Sequence, residues 1–306
     1  MKAYLIKRFF AMFPVAIGVV TLVFFIIHLT PGDPVEIMLG EQASIADKES
    51  LRKELGLDKP LLVQYVSFLG GLATGDLGKS LYTKKGVTES IMERYGATVE
   101  LALCSMVIAI FIAIPLGVIA AAYRDTSVDR VAMGFSLLGV SMPSFWIGPL
   151  LILVFSVELG WFPVSGRSGF DSLILPSITL GTAMAAILSR LTRSSVIEAL
   201  GEEYINTAKA KGGGELLILF KHALFNALLP VVTVAGLQFG ALLAGAIITE
   251  TIFAWPGIGR LTIQALNARD YSLAQGCVLA ISLSYVFVNM LVDVIYAVVD
   301  PRIRYK

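Results

Sequence analysis

The sequence predicts an all-α polytopic membrane protein with six transmembrane helices, and three observations predict it. Of the 306 residues, 56% are hydrophobic and only 15% charged, whereas a soluble domain usually carries about 25% charged residues. Six apolar runs reach or approach the roughly 20 residues that cross a hydrocarbon layer of about 30 Å. Lys and Arg gather in alternate loops, the pattern that orients membrane helices.

The first run, Phe9 to Leu29, follows Lys2, Lys7 and Arg8. It is longer than the apolar region of a signal peptide, about 7–15 residues, and no small-residue cleavage site follows it. Residues 1–30 are therefore expected to remain as a membrane anchor. The stretch 31–96 has mixed charge and the turn signals PGDP, GLDKP and TGDLGKS, which describe a small folded insertion rather than a linker. The remaining five runs are Ala97–Ala122, Val131–Val157, Ile174–Leu191, Ala227–Thr249 and Gln275–Val299, within a core of residues 97–306. The fourth run is the weakest, because Pro176, Ser177 and Ser189 interrupt it.

With the N-terminus inside, the inner segments hold Lys2, Lys7, Arg8, Arg124, Arg130, Arg190, Arg193, Lys209, Lys211, Lys221, Arg302, Arg304 and Lys306. The short outer loops hold Arg167, Arg260 and Arg269. Thirteen against three places both termini in the cytoplasm and the 31–96 insertion outside.

Other functions lack their parts. A net charge of +1 does not suit a nucleic-acid partner, whose phosphates demand a basic surface. Cys104 and Cys277 lie far apart in apolar runs and read as small core hydrophobes, neither metal ligands nor a disulfide framework. His28 and His222, the two histidines, fall on opposite sides of the membrane, so no metal site, no Ser-His-Asp arrangement and no cofactor site is assembled. Without a GxxxxGK[ST] loop, any ATP must be bound by another chain.

Ionisable residues within spans suggest function, because lipid makes them costly. Asp293, one turn after Asn289, is the best such case. It reads either as a proton or cation relay or as a residue bonded to neighbouring helices, and no second buried acid accompanies it to favour the relay. Glu100 and Glu250 fall at outer ends, where water is expected to reach them. Trp161 and Trp255, near the outer interface, read as aromatic-belt residues.

The most informative polar stretch is the inner loop 190–226. Val196, Leu200, Tyr204 and Ala208 recur every four residues, as on one face of a helix. Gly212-Gly213-Gly214 then breaks that helix before a second apolar helix leading to Pro230. The expected unit is a helical hairpin, longer than most helix connections.

The segment EEYINTAKAKG in that loop, with LLP after it, resembles the coupling loop of the inner-membrane permeases of binding-protein-dependent ABC importers. The resemblance continues through PGDPVEIML, ELGLDKPLLVQY, GDLGKS, ATVELAL, SMPSFW, ETIFAWPGIGRL, NARDYSLAQG and DPRIRYK, almost the whole chain. Together these segments look like the dipeptide/oligopeptide branch, which also includes nickel and glutathione permeases. PVSGR and RSSVIEALGEEY look most like its dipeptide members.

The resemblance implies the type I ABC importer permease fold, and half of a pathway for ATP-driven uptake of dipeptides or short oligopeptides. A second homologous permease, two ATPase subunits and an extracytoplasmic substrate-binding protein would complete the assembly in the bacterial inner membrane. Carried over by position, the ATPase-coupling motif falls on Glu203, Thr207, Ala208, Ala210, Gly212, Leu229 and Pro230. Small residues there let a short helix seat closely, and glycine lets the chain turn away. The sequence departs from the family at Asn206 and Phe225, where a basic residue is common, and in its longer glycine run. Trp255, Pro256, Gly257 and Arg260 would receive the binding protein or line an outer gate; the bland reading is a loop that merely turns at Pro256-Gly257.

Two other classes compete. An ion-coupled secondary transporter would show paired intramembrane acids or matching broken helices, and a membrane enzyme would show clustered reactive groups. Neither pattern is visible. Within the branch, nickel and glutathione remain alternatives to peptides as cargo.

Overall fold

The computed structural model describes residues 2–29, 33–40 and 43–299. Among the described residues the regular structure is helical, with one isolated bridge between Lys79 and Gly86. The helices are α1 (Lys2–Leu29), α2 (Pro34–Leu39), α3 (Ile45–Glu54), α4 (Leu61–Ala73), α5 (Val87–Ala122), α6 (Ser127–Ser141) and α7 (Ser144–Leu151). They continue with α8 (Asp171–Leu200), α9 (Glu203–Ala210), α10 (Glu215–Leu217), α11 (Phe225–Gly245), α12 (Ile247–Ile252), α13 (Ile258–Asn267) and α14 (Tyr271–Val299). A wider, π-type winding extends α7 over Ile152–Glu158 and joins α10 to α11 over Ile218–Leu224.

Among the described residues, four helical stretches are long and apolar enough to cross a membrane: Val87–Ala122, Asp171–Leu200, Glu215–Leu243 and Tyr271–Ile295. α1 adds a shorter apolar stretch, Phe13–Ile26. The third expected span is not one continuous helix. Its halves, Ser127–Ser141 and Ser144–Glu158, are bent by 100°. The cause is local: Pro143 disfavours helical geometry in the residue before it, and Met142 sits extended at φ −90°, ψ 116°. The fifth expected span is also interrupted, at Ala246, between α11 and α12.

The chain forms two compact units. One comprises Val99–Trp255 and α14 from Phe287 onward. Its central element is α8, the helix whose polar residues made it look the weakest span. In its most apolar window 72% of the residues are buried. Ser177, Thr179, Ser189 and Thr192 all lie inside the unit. Thr179 and Thr192 donate their hydroxyls to the carbonyls of Leu175 (2.8 Å) and Leu188 (2.7 Å), so they are satisfied without water.

Small residues let α5 approach α8 closely. Ser105, Ala109, Ala113 and Gly117 recur every four residues and are buried, the pattern that brings membrane helices together. A Cβ on Gly117 would stand 2.5 Å from Thr192 Cβ, and one on Gly181 would stand 2.9 Å from the Ser105 carbonyl oxygen. On the other side of α8, the hydroxyls of Ser136 and Ser189 share a hydrogen bond of 2.7 Å. Phe111, Val107 and Phe135 remain strongly exposed, as a lipid-facing surface requires.

The second unit comprises Lys2–Thr98 and Pro256–Val286. Its core joins Val87 and Ile91 of α5, Ile258, Leu261 and Ala265 of α13, and Leu273, Ala274 and Cys277 of α14. Asp270, only 1% exposed, fastens this unit together. As N-cap of α14 it accepts the Leu273 amide (3.2 Å), and it also accepts the Ser80 hydroxyl (2.5 Å) and the Leu81 amide (3.1 Å). Thus GDLGKS and NARDYSLAQG are two halves of one latch. Asp270→Ala is expected to cost about 2 kcal/mol, combining a lost cap with a stranded buried hydroxyl. Asp270→Asn, which keeps an acceptor for both amides, should recover much of it. Thermal unfolding in nanodiscs checks both, and equal losses in the two variants would refute the latch.

Candidate functional site

The segment singled out in the sequence, 190–226, folds as a short helix on a hydrophobic seat. α9 is not the continuation of α8 that the four-residue recurrence suggested. α8 stops at Leu200, and Glu202 turns extended at φ −75°, ψ 149° before α9 begins. Val196 and Leu200 therefore belong to one helix, and Tyr204 and Ala208 to another. The side chain that anchors α9 is Ile205, 0% exposed. It packs with Val118 and Ala121 of α5, Val196 and Ala199 of α8, and Ile218, Ala223 and Ala227 beyond the turn.

Burying one isoleucine contributes on the order of 2 kcal/mol, enough to hold a two-turn helix that would not persist alone. The rest of α9 faces outward. Glu203, Tyr204, Asn206, Thr207, Lys209 and Ala210 are exposed, and Ala208 is half-buried. The Thr207 hydroxyl turns back to the Glu203 carbonyl at 3.3 Å. The helix thus presents a polar, small-residue face to any partner.

The glycine break is a Schellman motif. The Gly213 amide donates to the Ala208 carbonyl (3.1 Å) and the Gly212 amide to the Lys209 carbonyl (2.9 Å). Gly212 holds φ +81°, a left-handed conformation costly for a residue with a Cβ. At Gly213 the constraint is space, since a Cβ would meet the Ala208 oxygen at 3.0 Å. Gly214 has open space and an ordinary extended backbone. Leu229 and Pro230 lie on α11 instead: Leu229 lines an apolar groove with Met106, Val232 and Leu291, and Pro230 is exposed.

Where α6 begins, two charged side chains form an ion pair that charge counting along the chain could not reveal. Arg193 of α8 donates through Nε to Asp129 Oδ1 (2.6 Å) and through a terminal nitrogen to Oδ2 (2.5 Å). The Asp125 amide also donates to that carboxylate, at 3.0 Å. Asp129 is almost fully buried and the Arg193 side chain is 25% exposed. The pair ties the start of α6 to α8 in the bidentate geometry that guanidinium and carboxylate favour.

The segment around Trp255 divides between the units. Trp255 is 0% exposed, with the Arg167 guanidinium 5.8 Å over its ring, so it is not an interfacial belt residue. Its backbone is held inward because α12 packs on α7, where a Cβ on Gly148 would touch Ile252 and Phe253 at 3.3 Å. The same packing corrects Glu250, which is fully buried rather than open to water. Glu100 is partly exposed and pairs with Arg167 at 2.8 Å. Trp161 is exposed, as an interfacial residue would be.

In the other unit, Gly257 precedes α13, whose first amide, Ile258, donates to the buried Thr98 hydroxyl at 2.8 Å. Pro256 and Arg260 are half-buried there. Asn289 and Asp293 are half-buried on α14, and among the described residues Asn289 Oδ1 has no hydrogen-bond donor within reach. Among the described residues, no group of three His, Cys, Asp or Glu side chains is placed to hold a metal.

Comparison with known proteins agrees with this architecture. Residues 113–305 match the family model of the binding-protein-dependent transport system inner membrane component, and residues 1–102 match the model of its N-terminal region. The glutathione transport system permease of Pectobacterium atrosepticum is 45% identical over 306 residues, covering all of both chains. That of Escherichia coli K12 is 43% identical over the same span. Among solved structures, an inward-facing methionine ABC transporter matches 70% of this chain and 97% of its own, at TM-score 0.58 and 17% identity. An amino acid ABC transporter matches 71% and 95%, at TM-score 0.52 and 14% identity. The chain therefore belongs to the binding-protein-dependent transport system inner membrane component family: it is a multi-pass inner-membrane permease subunit of the dipeptide/oligopeptide/nickel branch, a transport subunit and not an enzyme, working with ATPase and substrate-binding partners.

Proposed function

We propose that this permease forms half of the pathway for ATP-driven uptake of short peptides, with glutathione as the first cargo to test. The observation that carries the coupling part is α9 itself, a short helix seated by Ile205 and ended by the Gly212 turn, with its outer face exposed. Glu203, Thr207, Ala208 and Ala210 would meet the ATPase, while Leu229 and Pro230 would act from α11. Closure of the ATPases on ATP would push this helix, and α8 and α5 would carry the motion into the spans.

A second homologous permease completes the pathway in this reading. The relatives named for glutathione favour that γ-glutamyl tripeptide over the dipeptides suggested by PVSGR and RSSVIEALGEEY. Trp255 is too deeply buried to touch a binding protein directly and Gly257 is buried as well, so the half-buried Pro256 and Arg260 are the better candidates for that contact. Asn289 and Asp293 are assigned to packing in the last span rather than to an ion relay.

Uptake of labelled glutathione and of a labelled dipeptide into vesicles holding the complete complex, with its binding protein outside, tests the cargo. Glutathione uptake dependent on internal ATP is expected. Uptake of neither peptide would overturn the short-peptide reading.

The same reading has both termini in the cytoplasm and the 31–96 insertion outside, on the basis of the thirteen-to-three charge asymmetry. A cysteine placed at the exposed Thr83 should be labelled from outside. A reporter fused after Lys306 should report from inside. Both signals on one side would reject this topology.

A further inference from the structure

The unit built from α1, α3, α4, α13 and the first part of α14 contains a polar cavity of about 510 Å³, within the usual range for small-ligand sites. One wall is aromatic. The His28 ring stacks on Phe24 at 4.1 Å and lies 4.7 Å from Tyr271. His28 is oriented by its Nδ1, which is 2.8 Å from the Phe24 carbonyl; a carbonyl only accepts, so Nδ1 carries the hydrogen.

Gln275 supplies the opposite character. It lines the cavity, is only 5% exposed, and its amide nitrogen has no hydrogen-bond acceptor within reach among the described residues. A buried donor left unsatisfied is costly, and an incoming oxygen removes that cost. Lys53 and Lys59 line the same cavity as Glu54 and Asp76. A pure anion would meet the carboxylates and a pure cation the ammonium groups, whereas a zwitterion meets partners for both ends.

We propose that this cavity binds the carboxylate-bearing end of a short zwitterionic peptide, with Gln275 donating to the carboxylate and the Phe24–His28–Tyr271 wall covering the apolar part. The site rests on the reading that short peptides are the cargo, and would hold them at the permease itself, apart from the binding protein.

The test uses the whole permease–ATPase complex in nanodiscs, without binding protein. Calorimetry measures binding of reduced glutathione, of glycyl-leucine, and of N-acetyl-glycyl-leucine amide, which lacks both terminal charges. Glutathione and glycyl-leucine are expected to bind, the capped peptide at least tenfold more weakly. Gln275→Leu should weaken the charged peptides at least tenfold. That variant should fold, because an apolar residue of similar size removes the stranded amide; Gln275→Glu, with no donor when ionised, gives a second reading of the same loss. Equal binding by either variant, equal binding of the capped peptide, or no binding to the wild type would overturn the site. Wild-type uptake is scored separately. Uptake without cavity binding rejects the site and leaves the transport reading standing, whereas cavity binding without uptake of either peptide keeps the site and rejects the cargo.

Discussion

Gly212→Val is expected to reduce transport at least tenfold while the complex still reaches the membrane and docks its loaded binding protein. At φ +81° with nothing within 4 Å of the added Cβ, the cost is backbone strain and not a clash. For a β-branched residue that strain is about 1–3 kcal/mol. The chain relieves it by opening the Schellman turn, which frees the Ala208 and Lys209 carbonyls and displaces the end of α9. Transport and cargo-stimulated ATP hydrolysis should therefore fall together in reconstituted vesicles.

Gly212→Asn should fall less, because asparagine tolerates the left-handed region. Gly214→Ala should change little, having an extended backbone and open space. Ala208→Trp tests the other requirement, close approach, because Ala208 is half-buried beside the Ile205 seat. In that variant too, transport and cargo-stimulated ATP hydrolysis should fall together. Normal transport by Gly212→Val, or equal loss from Gly214→Ala, would make this turn a plain connector.

Arg193→Met is expected to destabilise the unit that contains α8 by about 3 kcal/mol, the low end of the cost of removing one partner from a buried ion pair. The low end applies because the Arg193 side chain is a quarter exposed, whereas Asp129 is left buried without its guanidinium. Asp129→Asn combined with Arg193→Met should regain a large part of that loss, since the stranded charge is gone and the methionine still fills space. Thermal unfolding of the two single variants and the double variant gives the coupling between them. A double variant as unstable as the sum of the singles would show that the pair is incidental to packing.

The contrast between α8 and the other spans shows what a linear pattern can and cannot report. α5 and α14 were legible because lipid-facing helices must be apolar over most of their surface, and runs such as Ala97–Ala122 announce this. α8 touches protein on most sides, so buried hydroxyls such as those of Thr179 and Thr192 turn back to its own carbonyls, and hydropathy understates it. The glycine break after α9 was likewise legible, because three consecutive glycines carry a backbone preference that needs no neighbours. The anchor was not, since the four-residue recurrence pointed to Tyr204 and Ala208, while the chain turned extended at Glu202 and brought Ile205 inward.

By itself, the sequence determined the helical membrane class, the family, the location of the short helix and the glycine turn that ends it. The family follows from the resemblance carried by motifs along almost the whole chain, and the others from composition, periodicity or a local conformational preference carried by residues close together in the chain. Only the tertiary structure decided that the third span breaks at Met142-Pro143, that Trp255 and Glu250 are buried, and that Arg193 pairs with Asp129. It also decided that Ser80 meets Asp270 and that Gln275 lines a cavity. These last pairings join residues 64 and 190 positions apart, and the energy of a hydrogen bond or ion pair depends on the distance between side chains in space, which no local pattern in the chain encodes.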